Sequence, residues 1–107
     1  MIYKTITLCG SLKFIKDFVK LQITLERLGH VVLSVTAGEE SLPPTYAEKK
    51  ILDKVHYKKI LLSDCIIVID NDGYIGESTS NEIEFARLNN KPVYFLSSPE
   101  VRETFVI

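Results

Sequence analysis

The side chains best suited to chemistry lie in one run, Asp70 to Glu84, which reads DNDGYIGESTSNEIE. Carboxylates can act as nucleophiles or proton donors, hydroxyls can bind a polyhydroxylated ligand, and glycines let a ligand come close to the backbone. Within this run Asp70, Asp72 and Glu82 are the candidate catalytic groups, and Gly73, Tyr74, Gly76, Ser78, Thr79 and Ser80 are the candidate binding groups. Glu84 lies about 200° round a helix from Glu82, so the two do not share one hollow. Ile83 and Ala86 suit the core, which leaves Glu82 at the rim. A second reading of Glu82 stands beside this one: Thr79-x-x-Glu82 is a capping box, in which the glutamate bonds back to its own helix. Asp72 in Asp72-Gly73 reads equally as a turn residue, and Tyr74 either stacks on a flat ligand or anchors its loop.

These residues need a scaffold that brings them to one place. Cys65 to Ile69 (CIIVI) is an unbroken apolar run, short and β-branched, as in a strand buried on both faces. It breaks at Asp70, where open parallel sheets place their ligands. A first strand over residues 2 to 8 ends at Cys9-Gly10-Ser11. A helix follows, with Phe14, Phe18, Leu21, Leu25 and Leu28 on one stripe, Ser11 as N-cap and Gly29 as C-cap. His30 to Val35 reads as a second strand, and Thr36 to Pro44 as a loop over the site's edge. Thr45-x-x-Glu48 opens a second helix running to about Leu62, with Ile51, Val55 and Leu62 on its buried face. A third helix is expected from about Ser80 to Asn89, then a strand over Val93 to Leu96 and a short edge strand over Val101 to Ile107. The pattern predicts an α/β fold, a small doubly wound parallel sheet of four or five strands in the flavodoxin-like, Rossmann-like order 2-1-3-4-5.

That order sets Gly10 and Ser11 beside Asp70 and Glu82. Gly10, Ser11, Leu12 and Lys13 form a strand-to-helix turn that reads as an anion site, or simply as the small-residue turn that any such domain needs. His56 is placed to reach the site from the second helix, with Lys59, or to sit partly exposed.

At 107 residues a single domain over 1–107 is expected, burying roughly 65% of the unfolded surface. Thirteen basic and fourteen acidic residues give a net charge of −1, with no basic stripe, so duplex nucleic acid is not an expected partner. The N-terminal apolar stretch is too short for a signal peptide and nothing approaches the ~20 apolar residues of a membrane span, which points to a cytoplasmic protein with no membrane partner. Cys9 and Cys65 would lie roughly 13 Å or more apart on neighbouring strands, beyond the ~7 Å reach of a disulfide. They read as buried thiols. His30 and His56 stand alone in the sequence, so no metal site is expected from spacing.

GYIGESTSNEIEFA, preceded by SDCIIVID and followed by NKPVYFL, resembles the nucleoside 2-deoxyribosyltransferase-like family, which includes deoxyribosyltransferases and nucleotide N-glycosidases. Cys9-Gly10-Ser11 is similar to that family's turn after its first strand, so the likeness spans nearly the whole chain. The resemblance implies that Glu82 is a nucleophile, forming a covalent glycosyl-glutamate during cleavage or transfer at the N-glycosidic bond of a nucleoside or nucleoside 5′-monophosphate. It also implies no cofactor, and a homodimer or higher homo-oligomer. The chain departs from the family in its shortness and in carrying His56 where better-known members often place a sugar-contacting aspartate. The alternative function is a non-catalytic nucleotide-binding or sensing module, and a purely structural partner domain is the third.

Overall fold

The computed structural model describes residues 2–36 and 42–107. Its elements run β1 (Thr5–Gly10), α1 (Ile15–Arg27), β2 (Val31–Leu33), α2 (Tyr46–Leu62), β3 (Cys65–Ile69), α3 (Glu77–Leu88), β4 (Val93–Phe95) and α4 (Pro99–Phe105). Short 3₁₀ turns over Leu12–Phe14 and Asn71–Gly73 follow β1 and β3. The four strands are parallel and ordered β2-β1-β3-β4, a flavodoxin-like α/β arrangement. Of the loop expected over 36–44, residues 37–41 lie outside the described residues. Among the described residues no helix is long and apolar enough to cross a membrane.

All five side chains of β3 are out of water, so the sheet needs cover on both faces. Period-two alternation divides the core accordingly. Ile6, Leu8, Ile67 and Ile69 face α1 and α4, meeting Phe18, Leu21, Leu25, Val101 and Phe105. Cys9, Ile66 and Val68 face α2 and α3, meeting Ile60, Ile83 and Ala86. Cys9 is level with Val68, and Cys65 with Ile6; both thiols are free and buried.

Local signals explain most element ends. At the end of α1 the Gly29 N–H donates to Glu26 O and the His30 N–H to Leu25 O, a Schellman pair that Gly29 completes at φ +100°. The α2 capping box forms in both directions: the Thr45 N–H donates to Glu48 Oε1 at 2.9 Å, and the Glu48 N–H to Thr45 Oγ1 at 3.1 Å. Three expectations need correction. The fifth strand is a helix, α4, because Ser98 caps it with Pro99 at its first position, and Val101 and Phe105, four apart, bury together. The buried face of α2 is set by His56 and Ile60, whereas Ile51 is 60% and Leu62 75% exposed; among the described residues, positions 46 to 51 of the helix are all exposed. Finally, α3 begins at Glu77 with Gly76 as N-cap, earlier than Ser80.

Gly10 ends β1 at φ +153°, and a Cβ there would stand 2.9 Å from Ile69 O and 3.1 Å from the Phe18 ring. Neither neighbour can yield, since one is sheet backbone and the other a fully buried ring. Gly10→Ala should therefore destabilise the fold by about 2–3 kcal/mol, the usual result of overpacking a core, read as a lower midpoint in urea or thermal unfolding. A midpoint equal to the parent's would show that the turn relaxes freely.

Candidate functional site

Three side chains from three elements converge on the α2/α3 side of the sheet. Cys9 comes from the end of β1, on the same strand face as Thr7, whose hydroxyl hydrogen-bonds Ser63 and donates to Lys59 O. With the Thr7 proton on Lys59 O, Ser63 donates to Thr7 while its oxygen also lies 2.8 Å from Lys59 O, so this buried hydroxyl pair pins the last turn of α2 to β1. One turn before that anchor, His56 points inward, and its Nε2 lies 3.4 Å from Cys9 Sγ. The same nitrogen stands 3.7 Å from Glu82 Oε1, with side-chain exposures of 10% and 14%. The ligating atoms of Cys9, His56 and Glu82 all lie within 4.8 Å of one another. On α3, Phe85 shares the face of Glu82 and packs on Tyr57 of α2 with ring centroids 4.6 Å apart, which holds the helices together beside the trio.

The capping-box reading of Glu82 does not describe this arrangement. Gly76 caps α3 without a side-chain bond, Thr79 lies inside the helix and is buried, and Glu82 is the sixth helical residue. It is thus more than a turn beyond the positive end of the helix, where the helix terminus does little to favour the ionised form. Burial, followed by the charge of Asp53, pushes its carboxyl up from 4.5 to about 7. Burial, followed by the Lys59 ammonium, pushes His56 down to about 4, while Asp53 acts the other way. Burial and then the Glu82 charge raise the Cys9 thiol well above its ordinary value. At neutral pH the hollow holds a thiol, a neutral imidazole and a carboxyl near half ionisation.

The other expected site residues are distributed around this hollow rather than gathered in it. Asp70 accepts from the Ser97 N–H at 2.9 Å and from the Ser97 hydroxyl at 2.6 Å, so both its oxygens tie the ends of β3 and β4 together. Asp72 is exposed in a left-handed turn at φ +55°, and Gly73 follows at φ +75°. The turn is fastened by Asn71, whose Nδ2 donates to Asp17 Oδ2 at 2.8 Å. Lys13 Nζ sits 3.2 Å from the centre of the Tyr74 ring, and Phe14 meets the same ring edge-on at 6.0 Å. Lys13 and Tyr74 therefore latch the two site loops to each other. Ser11 accepts from the Lys13 N–H at 3.4 Å, and Leu12 is exposed. Gly76 has ordinary dihedrals, and a Cβ there would meet the Tyr74 hydroxyl at 3.5 Å, so the backbone does not require glycine. Ser78 lies one turn before Glu82 on the same side of α3, whereas Ser80 is about 160° away. Ser80 instead lines an open groove of about 500 Å³ with Ile83, Glu84, Arg87, Leu88 and Phe95, on the far side of α3 from the trio. Lys59 also turns away, donating to Ser34 O at 2.7 Å.

Two contributors escaped the reading of the sequence. Cys9 looked like core, yet its place beside Thr7 on the strand face opposite Ile6 and Leu8 was a usable signal. Asp53, one turn before His56 on α2, has no pattern to mark it.

The fold and this hollow define a flavodoxin-like α/β domain with a polar trio at the carboxyl end of its two central strands. No family model matches the chain, nor does any curated protein. Among solved structures it is similar to a 2-deoxyribosyltransferase from the psychrotolerant bacterium Bacillus psychrosaccharolyticus, a biocatalyst for nucleoside synthesis, with a TM-score of 0.65 and 21% identity over 85% of this chain and 70% of that one. It is also similar to a conserved protein from Enterococcus faecalis V583, with a TM-score of 0.66 and 16% identity over 88% of this chain and 63% of that one. At these identities the likeness is one of fold.

The trio predicts an opposed pH dependence of stability, measured in a buffer containing EDTA. Because the folded Glu82 binds its proton up to about pH 7, its contribution falls as pH rises from 4.5 to 7. His56 holds its proton less well folded than unfolded, so its contribution rises from about pH 4 to 6.5. Glu82→Gln removes the falling part. Relative to the parent it should gain stability across pH 4.5 to 7, by up to about 3 kcal/mol at 1.36 kcal/mol per unit. Denaturant midpoints of the two proteins that run parallel with pH would refute this.

Proposed function

We propose that the protein cleaves or transfers at the N-glycosidic bond of a nucleoside or nucleoside 5′-monophosphate, with Glu82 as the nucleophile. The observation that carries this reading is the orientation of the Glu82 carboxylate. It is free of its own helix and faces His56 and Cys9, the residue that precedes the Gly10-Ser11 bend. The fold shared with a 2-deoxyribosyltransferase supports the substrate class.

In this mechanism ionised Glu82 attacks the anomeric carbon as the bond to the base breaks, through a transition state with oxocarbenium character. The bonding electrons leave with the base, which takes up a proton or receives a hydrogen bond. Water or a second base then attacks the glycosyl-glutamate and frees the carboxylate. His56, neutral above about pH 4, orients the carboxylate without neutralising it as a cation would. Asp72, exposed at the strand-end turn, is the carboxylate left to orient the water that protonates the leaving base, because Asp70 is occupied by Ser97. Gly10 to Lys13 edge the sugar or phosphate end of the site, and Ser78 supplies a hydroxyl near Glu82.

The test is incubation of the protein with a panel of nucleosides and 5′-monophosphates, followed by chromatography for free base. Release should rise with pH to a plateau above about 7, as Glu82 ionises, and Glu82→Gln should reduce it by roughly 10³-fold or more, on the scale of other lost nucleophiles. Full activity in that variant would remove Glu82 from the mechanism. A nucleotide that raises the melting temperature and is never cleaved would assign the hollow to ligand sensing.

A further inference from the structure

Cys9, His56 and Glu82 present sulfur, imidazole nitrogen and carboxylate oxygen to one point from β1, α2 and α3. A tetrahedral zinc ion, with bonds near 2.3 Å to sulfur and 2.0–2.2 Å to nitrogen and oxygen, would hold neighbouring S and N atoms about 3.6 Å apart and N and O atoms about 3.4 Å apart. The observed separations are 3.4 Å from Cys9 Sγ to His56 Nε2 and 3.7 Å from His56 Nε2 to Glu82 Oε1. Two of the three separations thus stand within a few tenths of an ångström of a ligand set, and the third, from Cys9 Sγ to the Glu82 carboxylate, is within 4.8 Å, which a small rotation of the glutamate side chain would close.

We propose that this trio is a binding site for a borderline-soft divalent cation of the zinc type, held by three protein ligands with one coordination position left for water or an incoming group. Charge favours the assignment. A thiolate and a carboxylate together balance a divalent ion, so the loaded hollow is neutral overall where either anion alone would be buried without a partner. The cation displaces the thiol proton as the Cys9 Sγ–metal bond forms, and that proton goes to buffer. Sulfur and imidazole select zinc-like ions against magnesium and calcium, which take oxygen ligands. Asp53 adds negative potential from the same side.

The inference does not depend on the glycosidic reading. A cation on Glu82 and a sugar on Glu82 are alternative uses of one carboxylate, so zinc should inhibit any base release and a chelator should restore it.

The whole chain, stripped with EDTA and freed of chelator, is titrated with Zn²⁺ by calorimetry and with Co²⁺ by visible spectroscopy. Expected are one ion per chain at micromolar affinity or tighter, a thiolate-to-cobalt charge-transfer band, and no displacement by a hundredfold excess of Mg²⁺. His56→Ala should weaken binding at least about 10-fold, and Cys9→Ser should remove the band. If Cys9→Ser does not fold, the band in the parent chain still reports sulfur ligation. No saturable binding, a cobalt spectrum without the thiolate band, or undiminished affinity in His56→Ala would each overturn the proposal. Stoichiometric binding by a protein that releases no base in EDTA would sink the glycosidic reading alone, and base release without metal binding would sink this one alone.

Discussion

The complete burial of β3 is the constraint from which the rest follows. Five consecutive apolar side chains alternate between two faces, so each face must be covered, and parallel strands can be joined only by crossovers that supply the covering helices. The strand can stay apolar only as far as Ile69, because beyond it the flanking connections separate and water enters. Asp70, Asn71 and Asp72 occupy that opening, with Asp70 turned back to bind Ser97. The polar residues at the sheet's end are thus divided between those that close the structure and those that face the hollow.

This division explains why the site is narrower than its sequence suggests. Asp70, Asn71, Lys13 and Tyr74 spend their polar or aromatic groups on one another's loops. What remains toward the hollow is a carboxyl, an imidazole and a thiol, all largely out of solvent and none free to ionise at its ordinary pH. Such groups are chemically poised in a way that a solvated surface cluster is not.

The parts of the fold that local physics decides were legible. The β3 run, the α1 stripe ending in Gly29 and the α2 capping box each depend on neighbours a few residues away, and the parallel order of β1 to β4 followed from their spacing. Where reading failed, a non-local or competing term won. Residues 101–107 read as a short edge strand when taken apart from the Ser98-Pro99-Glu100 helix start that precedes them. The buried side of α2 was misjudged because Ile51, Val55 and Leu62 form one stripe while Ile60 lies nearly opposite them, and contact with the sheet, which the local pattern does not carry, decides which side is covered. In the site, Glu82 stood out by its surroundings in sequence, whereas its partner Cys9 lies 73 positions away and becomes visible only once β1 and α3 share a face.

The way α2 is mounted bears on how the hollow behaves. Its last turn is bolted to β1 through Thr7 and Ser63, while its first turns carry a capping box and are exposed among the described residues. The helix is therefore a cantilever, with His56 just inside the wall. The imidazole is held at the fastened end of the helix, two turns before Ser63, and its aim toward Cys9 is set by the same contacts that join α2 to β1.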